Sequence, residues 1–357
     1  IIYFSIQGVL KRKKILEEET MRTREQILKC MIAMFVVALF GLSTNVLAAT
    51  QVIMSNDTNA LGLKGQSFDL LKAEIEKRLG TDVKVEVHHG GALFNQKTQI
   101  QGLQLGSAHL IAPTFGIYTP VAPNISAFAL PFLLTSPEKI ERAINDPLVR
   151  ATFVPQLESK NIIPAAIWIN GPRDISYRGS KPVLVPEDMK GIKIRVQNVP
   201  SDIAAMKAVG ANVISMSWGE VPTAIQQGVI DAVEPTPNSL AGAGLIESID
   251  QLTRINYRYS FYIVGANKQW WDGLSDKELK AVKEALDVAT KWNWENAAAK
   301  NKEAYGKVTS AGKAIHDLTP EQIEQWVKAM KPVWEEFGEK LVGPEAMARL
   351  EEIGAGK

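Results

Sequence analysis

Residues 187–201 read EDMKGIKIRVQNVPS, and the fold depends on how this stretch is parsed. Gly191 breaks the helix signal of residues 187–190, and Pro200 closes the run. Between them Ile192, Ile194 and Val196 alternate with Lys193, Arg195 and Gln197, the two-residue period of a β-strand. An arginine in the middle of a short apolar strand has to reach water, a carboxylate or a bound anion, because an unpaired buried cation is very costly. The residues alone leave the partner open: Glu187 or Asp188 nearby, or a ligand.

Strand and helix patterns alternate on both sides of this stretch. Upstream, residues 51–55, 83–87 and 110–113 read as strands. Between them lie an amphipathic helix at 66–79, with Phe68, Leu70, Leu71, Ile75 and Leu79 on one face, and a second helix at 97–105. That order argues for βαβ units and a parallel sheet. Residues 127–134, AFALPFLL, are apolar but too short to span a membrane. Residues 162–169 form another apolar strand that runs into Gly171-Pro172, where the chain is expected to cross to a second lobe. Downstream, residues 201–209, 212–215, 221–227 and 229–234 repeat the helix–strand alternation. Residues 257–264 read as an aromatic strand returning to the first lobe. Ser275 and Glu278 form a capping box ahead of residues 276–309, a helix of roughly 50 Å that is long enough to run along both lobes. Further helices are expected after Thr319-Pro320 and over 344–353. The expected division is 49–170 with 258–300 as lobe I, 171–257 with 301–343 as lobe II, and 344–357 as a C-terminal helix and tail.

The 357 residues are 46% apolar and carry a formal charge of +1, so nothing marks a nucleic-acid surface. The N-terminal region reads separately. Arg22, Arg24 and Lys29 precede an apolar segment at 31–42 and a small-residue site at Val46-Leu47-Ala48, the pattern of a secretory signal peptide over 21–48. Residues 1–20 are read as sequence upstream of the true start at Met21. Residues 1–48 hold seven Lys or Arg and four Glu, so their removal would turn the charge from +1 to −2. The single cysteine, Cys30, falls in this leader, which leaves the remainder without thiol or disulfide chemistry. The expected location is the periplasm.

Enzymatic and metal-binding motifs are missing. The four histidines (His88, His89, His109 and His316) lack metal-binding spacing, and adjacent strand residues such as His88 and His89 point to opposite faces. There is no nucleophile elbow and no phosphate loop. No cofactor and no metal are expected. The sequence does hold a set of anion-binding and stacking groups at strand ends. Arg173 and Arg195 have the rigid fork that suits a carboxylate, and Trp218 precedes a helix where an indole can cover a ligand. Asp57, Gln96 and Thr114 fall beyond the ends of the first three strands, where open α/β sheets collect ligands.

The stretches PEDMKGIKIRV (186–196) and WGEVPTAIQQGVIDAVEP (218–235), together with FALPFLL and NKQWWDGLS (267–275), closely resemble the solute-binding proteins of TRAP transporters, of the dicarboxylate-receptor type. The resemblance covers about 51–343. It implies an α/β fold of two lobes, a type II-like periplasmic-binding-protein architecture with a long helix spanning both. It also implies a receptor, not an enzyme, that closes on a small organic acid and passes it to TRAP membrane permease subunits, with no nucleic-acid partner and a monomeric state. By the same resemblance Arg195 is the carboxylate-binding arginine, Arg173 the assisting one and Trp218 the covering aromatic. Where many members place an asparagine after the Asp-Gly-x-Glu run, this chain has Pro235, so that contact is expected to be lost or to move to Thr236 or Asn238. Phe94 is expected to form a bulkier, less polar wall. Two other classes fit the same fold: a hydrolase or isomerase using Asp57 or Glu220 as base, and a sensor partner of a membrane kinase.

Overall fold

In the computed structural model, residues 11–14, 16–17, 20–29, 31 and 49–357 are described. Ile1–Ala48 and Ala49–Lys357 are separate compact units. The described residues of the first are helical and exposed. Cys30, most of the apolar leader segment and the expected cleavage site lie outside the described residues. No helix among the described residues is long and apolar enough to cross a membrane.

The second unit contains eleven strands: β1 (Thr50–Ser55), β2 (Val83–His88), β3 (Leu110–Ile111), β4 (Ile162–Pro172), β5 (Ile175–Tyr177), β6 (Lys193–Val196), β7 (Asn212–Ser215), β8 (Ala232–Val233), β9 (Gln251–Arg254), β10 (Tyr259–Asn267) and β11 (Ala314–Asp317). They form two sheets, ordered β2-β1-β3-β10-β4 and β11-β9-β5-β8-β6-β7. In each, three adjacent strands are parallel: β2-β1-β3 in the first and β8-β6-β7 in the second. Antiparallel strands β10 and β4 complete the first sheet. Parallel neighbours require crossover connections, and helices α1 (Leu63–Leu79) and α2 (Gln99–Gln104) supply them in the first lobe. In the second lobe α3 (Pro200–Ala208) and α4 (Val221–Gln226) do the same, and α5 (Pro237–Gly242) comes after β8.

The chain passes between the sheets three times: from β4 to β5, from β9 to β10, and along helix α6 (Asp276–Ser310) into β11. The 35 residues of α6 are unbroken, and it packs on α1 and β4 through one part and on α5 and β11 through another. Its cap is the expected one, with Ser275 accepting from Glu278 N–H. The helix after Thr319 packs on α3, whereas Pro344–Gly354 docks on helices of residues 137–158, with Arg349 paired to Asp146 at 2.7 Å.

Several boundaries differ from the sequence reading. Helix α1 begins at Leu63, after Gly62, and so draws Lys64 into a buried first turn. The strand expected over 229–234 is only Ala232–Val233; Val229 is exposed in the turn before it. The apolar run at 127–134 is divided between the 3₁₀ helix Pro123–Ala129 and the turn after it, with Phe128 among Phe115, Phe153 and Phe261 in the core. Arg195 is 2% exposed and Gln197, just past β6, 4%, whereas Lys193 is half-exposed, so the alternation there does not mark a continuous solvent face.

The crossing from β4 is fixed by a bulge. Ser260 pairs with Gly171 and Phe261 with Ile169, so Asn170 has no partner in the ladder. Two asparagines on α6 take the groups this exposes. Asn301 Nδ2 donates to the Asn170 carbonyl at 2.8 Å, and Asn293 Oδ1 accepts from Ile169 N–H at 2.6 Å. Gly171 sits at φ +148°, and a Cβ there would run into the Asn301 side chain, so close approach of helix and strand demands glycine.

Asp174 lies at the same crossing. It accepts from Asn256 N–H at 3.1 Å and from the Tyr305 hydroxyl of α6. Burial pushes its carboxyl up to about 6, against the opposing effect of Tyr305. A carboxyl raised in the fold is destabilising when ionised, and stability returns as pH falls through the folded value towards the unfolded one, about 3.9. Asp174→Asn is therefore expected to raise the melting temperature at pH 7–8, by the equivalent of up to about 3 kcal/mol. The gain should vanish below about pH 4, as thermal denaturation at several pH values will show.

Candidate functional site

The ends of the two sheets face each other across a narrow, partly open cavity of about 20 Å³. Asp57, Gln96, Thr114, Arg173, Arg195 and Trp218 all line it, from both lobes. Asn56 at the end of β1 accepts Thr58 N–H on its Oδ1 at 3.1 Å, a local turn that holds Asp57 between them. Asn95 does the same for Lys97 N–H at 2.9 Å ahead of α2 and so positions Gln96. Glu220 accepts Ser217 N–H at 2.7 Å and fixes the turn that carries Trp218.

Arg195 projects from β6 towards the turn after β7. Its Nε and Nη2 donate to the Met216 carbonyl at 3.0 and 2.7 Å, and Nη2 also donates to Gln96 Oε1 at 3.0 Å. Its guanidinium lies 5.3 Å from the centre of the Trp218 ring. Among the described residues no carboxylate stands within ion-pair distance of it. Asp188, one of the partners left open by the sequence, instead accepts from Leu184 and Val185 N–H in its own turn. Burial pushes Arg195 down to about 10, so it remains a cation at neutral pH.

Arg173 is differently placed. It forms a bidentate pair with Glu234, Nε to Oε2 at 2.6 Å, with both side chains buried. The Tyr257 hydroxyl donates to the same Glu234 oxygen at 2.7 Å. Beside them Arg258 donates to Asp202 at 2.6 Å. Burial opposes ionisation of Arg173 and Glu234, but each outweighs that for the other: the arginine is held above its usual range and the carboxyl below.

Lys64 also lines the cavity and was missed from sequence. It pairs with Asp57, and its ammonium lies 4.6 Å from the Tyr262 ring centre. Burial lowers its pKa even though Asp57 opposes the shift. Lys64 falls just outside the helix expected at 66–79, and no neighbouring residue signals its burial. Asn170, Gln197, Ser239 and Tyr262 complete the lining with Thr58 and Pro235.

The structure does not bring Thr236 into this lining. It caps α5, accepting Ser239 N–H, and donates to Asn170 Oδ1 at 2.9 Å. Asn238 lines an adjoining hollow, and its amide is engaged by the Asn170 carbonyl at 2.8 Å and by Asn301 Oδ1 at 2.9 Å. Neither substitutes for a donor at Pro235, because the bulge at Asn170 claims both. Phe94 is not among the lining residues; its ring lies over Gly102 of α2, where a Cβ would collide with it. Of the two bases considered for an enzyme, Asp57 is paired to Lys64, and Glu220 is a capping residue 3.4 Å from Lys97. Among the described residues no group of His, Cys, Asp and Glu is arranged to hold a metal ion.

Contacts across the cleft hold the lobes together. Gln96 Oε1 accepts from Arg195 and, at 2.9 Å, from Trp218 N–H; Thr114 donates to Gln197 at 3.1 Å; Asn59 donates to the Gly242 carbonyl. Two α/β lobes closed over a cavity lined by Asp57 and three cations, Lys64, Arg173 and Arg195, have the frame of a solute-binding site.

Comparison with known proteins gives the family. Residues 54–341 match the bacterial extracellular solute-binding proteins, family 7. The chain is 31% identical over 286 residues to the C4-dicarboxylate-binding periplasmic protein DctP of Vibrio cholerae, covering 78% of this chain and 83% of that one. It is 29% identical to DctP of Rhodobacter capsulatus, over 80% and 86% of the two chains. A TRAP periplasmic solute-binding protein of Shewanella oneidensis, solved with bound succinate, superposes with a TM-score of 0.82 at 26% identity, covering 86% of this chain and all of that one. The chain belongs to solute-binding protein family 7. It is a binding receptor of the TRAP type and not an enzyme, as the motifs at 186–196 and 218–235 implied.

Because one Gln96 oxygen bridges two groups of the opposite lobe, Gln96→Ala should loosen the ligand-free closed form. The expected outcome is a larger radius of gyration by small-angle X-ray scattering, with melting temperature lowered by no more than about 4 °C.

Proposed function

We propose that this protein is a periplasmic receptor that captures a small organic acid between its lobes and delivers it to TRAP permease subunits. The observation that carries this reading is Arg195, a buried cation at the cavity with carbonyl and amide acceptors but no carboxylate partner among the described residues. A ligand carboxylate supplies the missing counter-charge, and the planar fork suits it geometrically. Arg173 faces the same cavity with its charge compensated by Glu234, and its remaining N–H groups serve as donors to the ligand. Trp218 covers the ligand, and Asp57, Gln96 and Thr114 offer polar contacts. Thr236 and Asn238 act one step removed, by fixing Asn170 at the cavity wall.

The relatives named for C4-dicarboxylates and the neighbours holding succinate, L-malate or galactonate support an acid as ligand class. Their periplasmic names, with the leader pattern at 21–48, support export and cleavage near Ala48. The exported protein is taken to act as a monomer. The lobes are taken as 49–170 with 258–300 and 171–257 with 301–343. In support, β4 and β10 belong to one sheet and β5 and β11 to the other. Ligand would favour the closed arrangement by its differential affinity for the two states.

Arg195→Ala should weaken acid binding by several kcal/mol, on the order of 100-fold or more, since it removes one partner of a desolvated charge pair. Calorimetry with the tightest acid found by thermal-shift screening is the check. Near-normal affinity would remove Arg195 from the site.

A further inference from the structure

Three cations line the cavity, and they leave different amounts of charge for a ligand. Lys64 is paired to Asp57, each side chain 2% exposed. Arg173 is paired to Glu234, at 4% and 0%. Arg195, 2% exposed, has no carboxylate partner among the described residues. A buried charge is tolerated when it is paired, and one more or one fewer opposite charge in a closed site is penalised. The lining therefore holds one uncompensated positive charge, not two.

A second observation concerns Asp57. One of its carboxylate oxygens takes Lys64, and the other, Oδ2, is buried with no hydrogen-bond partner among the described residues. A buried carboxylate oxygen left without a donor is costly. In this cavity it is an acceptor suited to a hydroxyl or N–H and hostile to a second carboxylate.

We propose that the ligand is a monocarboxylate carrying a hydrogen-bond donor: its carboxylate pairs with Arg195, its hydroxyl or amide N–H meets Asp57, and Asp57 excludes dicarboxylates by neutralising Lys64. This rests on the reading of Arg195 as the carboxylate anchor. It separates this chain from the relatives whose names specify C4-dicarboxylates. The Lys64–Asp57 pair is the determinant, since freeing Lys64 would give the cavity a second uncompensated cation.

The test uses the purified chain and acids matched in shape but not in charge: succinamate against succinate, and glutaramate against glutarate. Calorimetry is expected to find the tightest binder among the monoacids, with succinamate preferred over succinate by about tenfold or more. A diacid as the tightest binder overturns the proposal. Asp57→Asn should shift the succinate-to-succinamate affinity ratio towards succinate by at least about tenfold; an unchanged ratio in folded protein removes Asp57 as the determinant. If freeing Lys64 prevents folding, the double variant Asp57→Asn/Lys64→Gln removes both charges. In it Arg195 is again the one uncompensated cation, so succinamate should still be preferred over succinate; a folded double variant that prefers succinate would place the charge selectivity elsewhere, contrary to the proposal. Arg195→Ala separates the two readings. If it binds the best acid as wild type does, the anchor is wrong, whatever the charge preference. If it loses binding while the diacids win, the anchor stands and the monocarboxylate proposal fails.

Discussion

Four cations are buried where the two lobes meet: Lys64, Arg173, Arg195 and Arg258. Taking each out of water costs several kcal/mol unless a counter-charge and hydrogen bonds replace the solvent. Asp57, Glu234 and Asp202 compensate three of them. The fourth is held by a carbonyl of its own lobe and an amide of the opposite one. The lobes thus depend on one another through these polar groups as well as through a shared buried cluster that runs from Phe115 and Phe128 to Ile194 and Val196. The affinity of the cleft for an anion is a consequence of the charge it leaves uncompensated. In a receptor, ligand binding and closure then draw on the same interaction.

That arrangement needs a backbone that delivers the two sheets in register. The bulge at Asn170 turns a regular ladder into a crossing, and α6 fastens it through Asn293 and Asn301. The asparagine released from the ladder then organises Thr236, Asn238 and Ser239 at the mouth of α5. Pro235 is accommodated for the same reason. Its missing N–H is not replaced by its neighbours, because they are committed to Asn170, while its carbonyl accepts Asp174 N–H at 3.2 Å. The site is therefore built on the hinge-proximal segments themselves, and movement of one lobe against the other would displace the cavity wall directly.

Much of this was legible from local pattern. The alternation at 192–197 and the capping box before α6 each reflect chemistry confined to a few neighbours, and a period needs no knowledge of the rest of the chain. The places that misled were those where distant segments decide the environment. Lys64 fell outside the helix expected at 66–79, because nothing nearby says that a first helical turn will bury it. AFALPFLL read only as a short apolar run, whereas its apolarity comes from being enclosed by Phe115, Phe153 and Phe261. Arg173 and Arg195 looked equivalent as forks. One is answered by Glu234, 61 residues away, and the other by Gln96, 99 residues away.

Local pattern along the chain was enough to specify the two α/β lobes, the long helix and Arg195 as the residue to explain, since strand and helix periods and capping residues act over short range. Through its motifs the chain also pointed to the family. Which charges cancel was settled by folding in three dimensions. Pairing in a low-dielectric interior depends on separations of a few ångströms between residues far apart in the chain, and no local pattern encodes them.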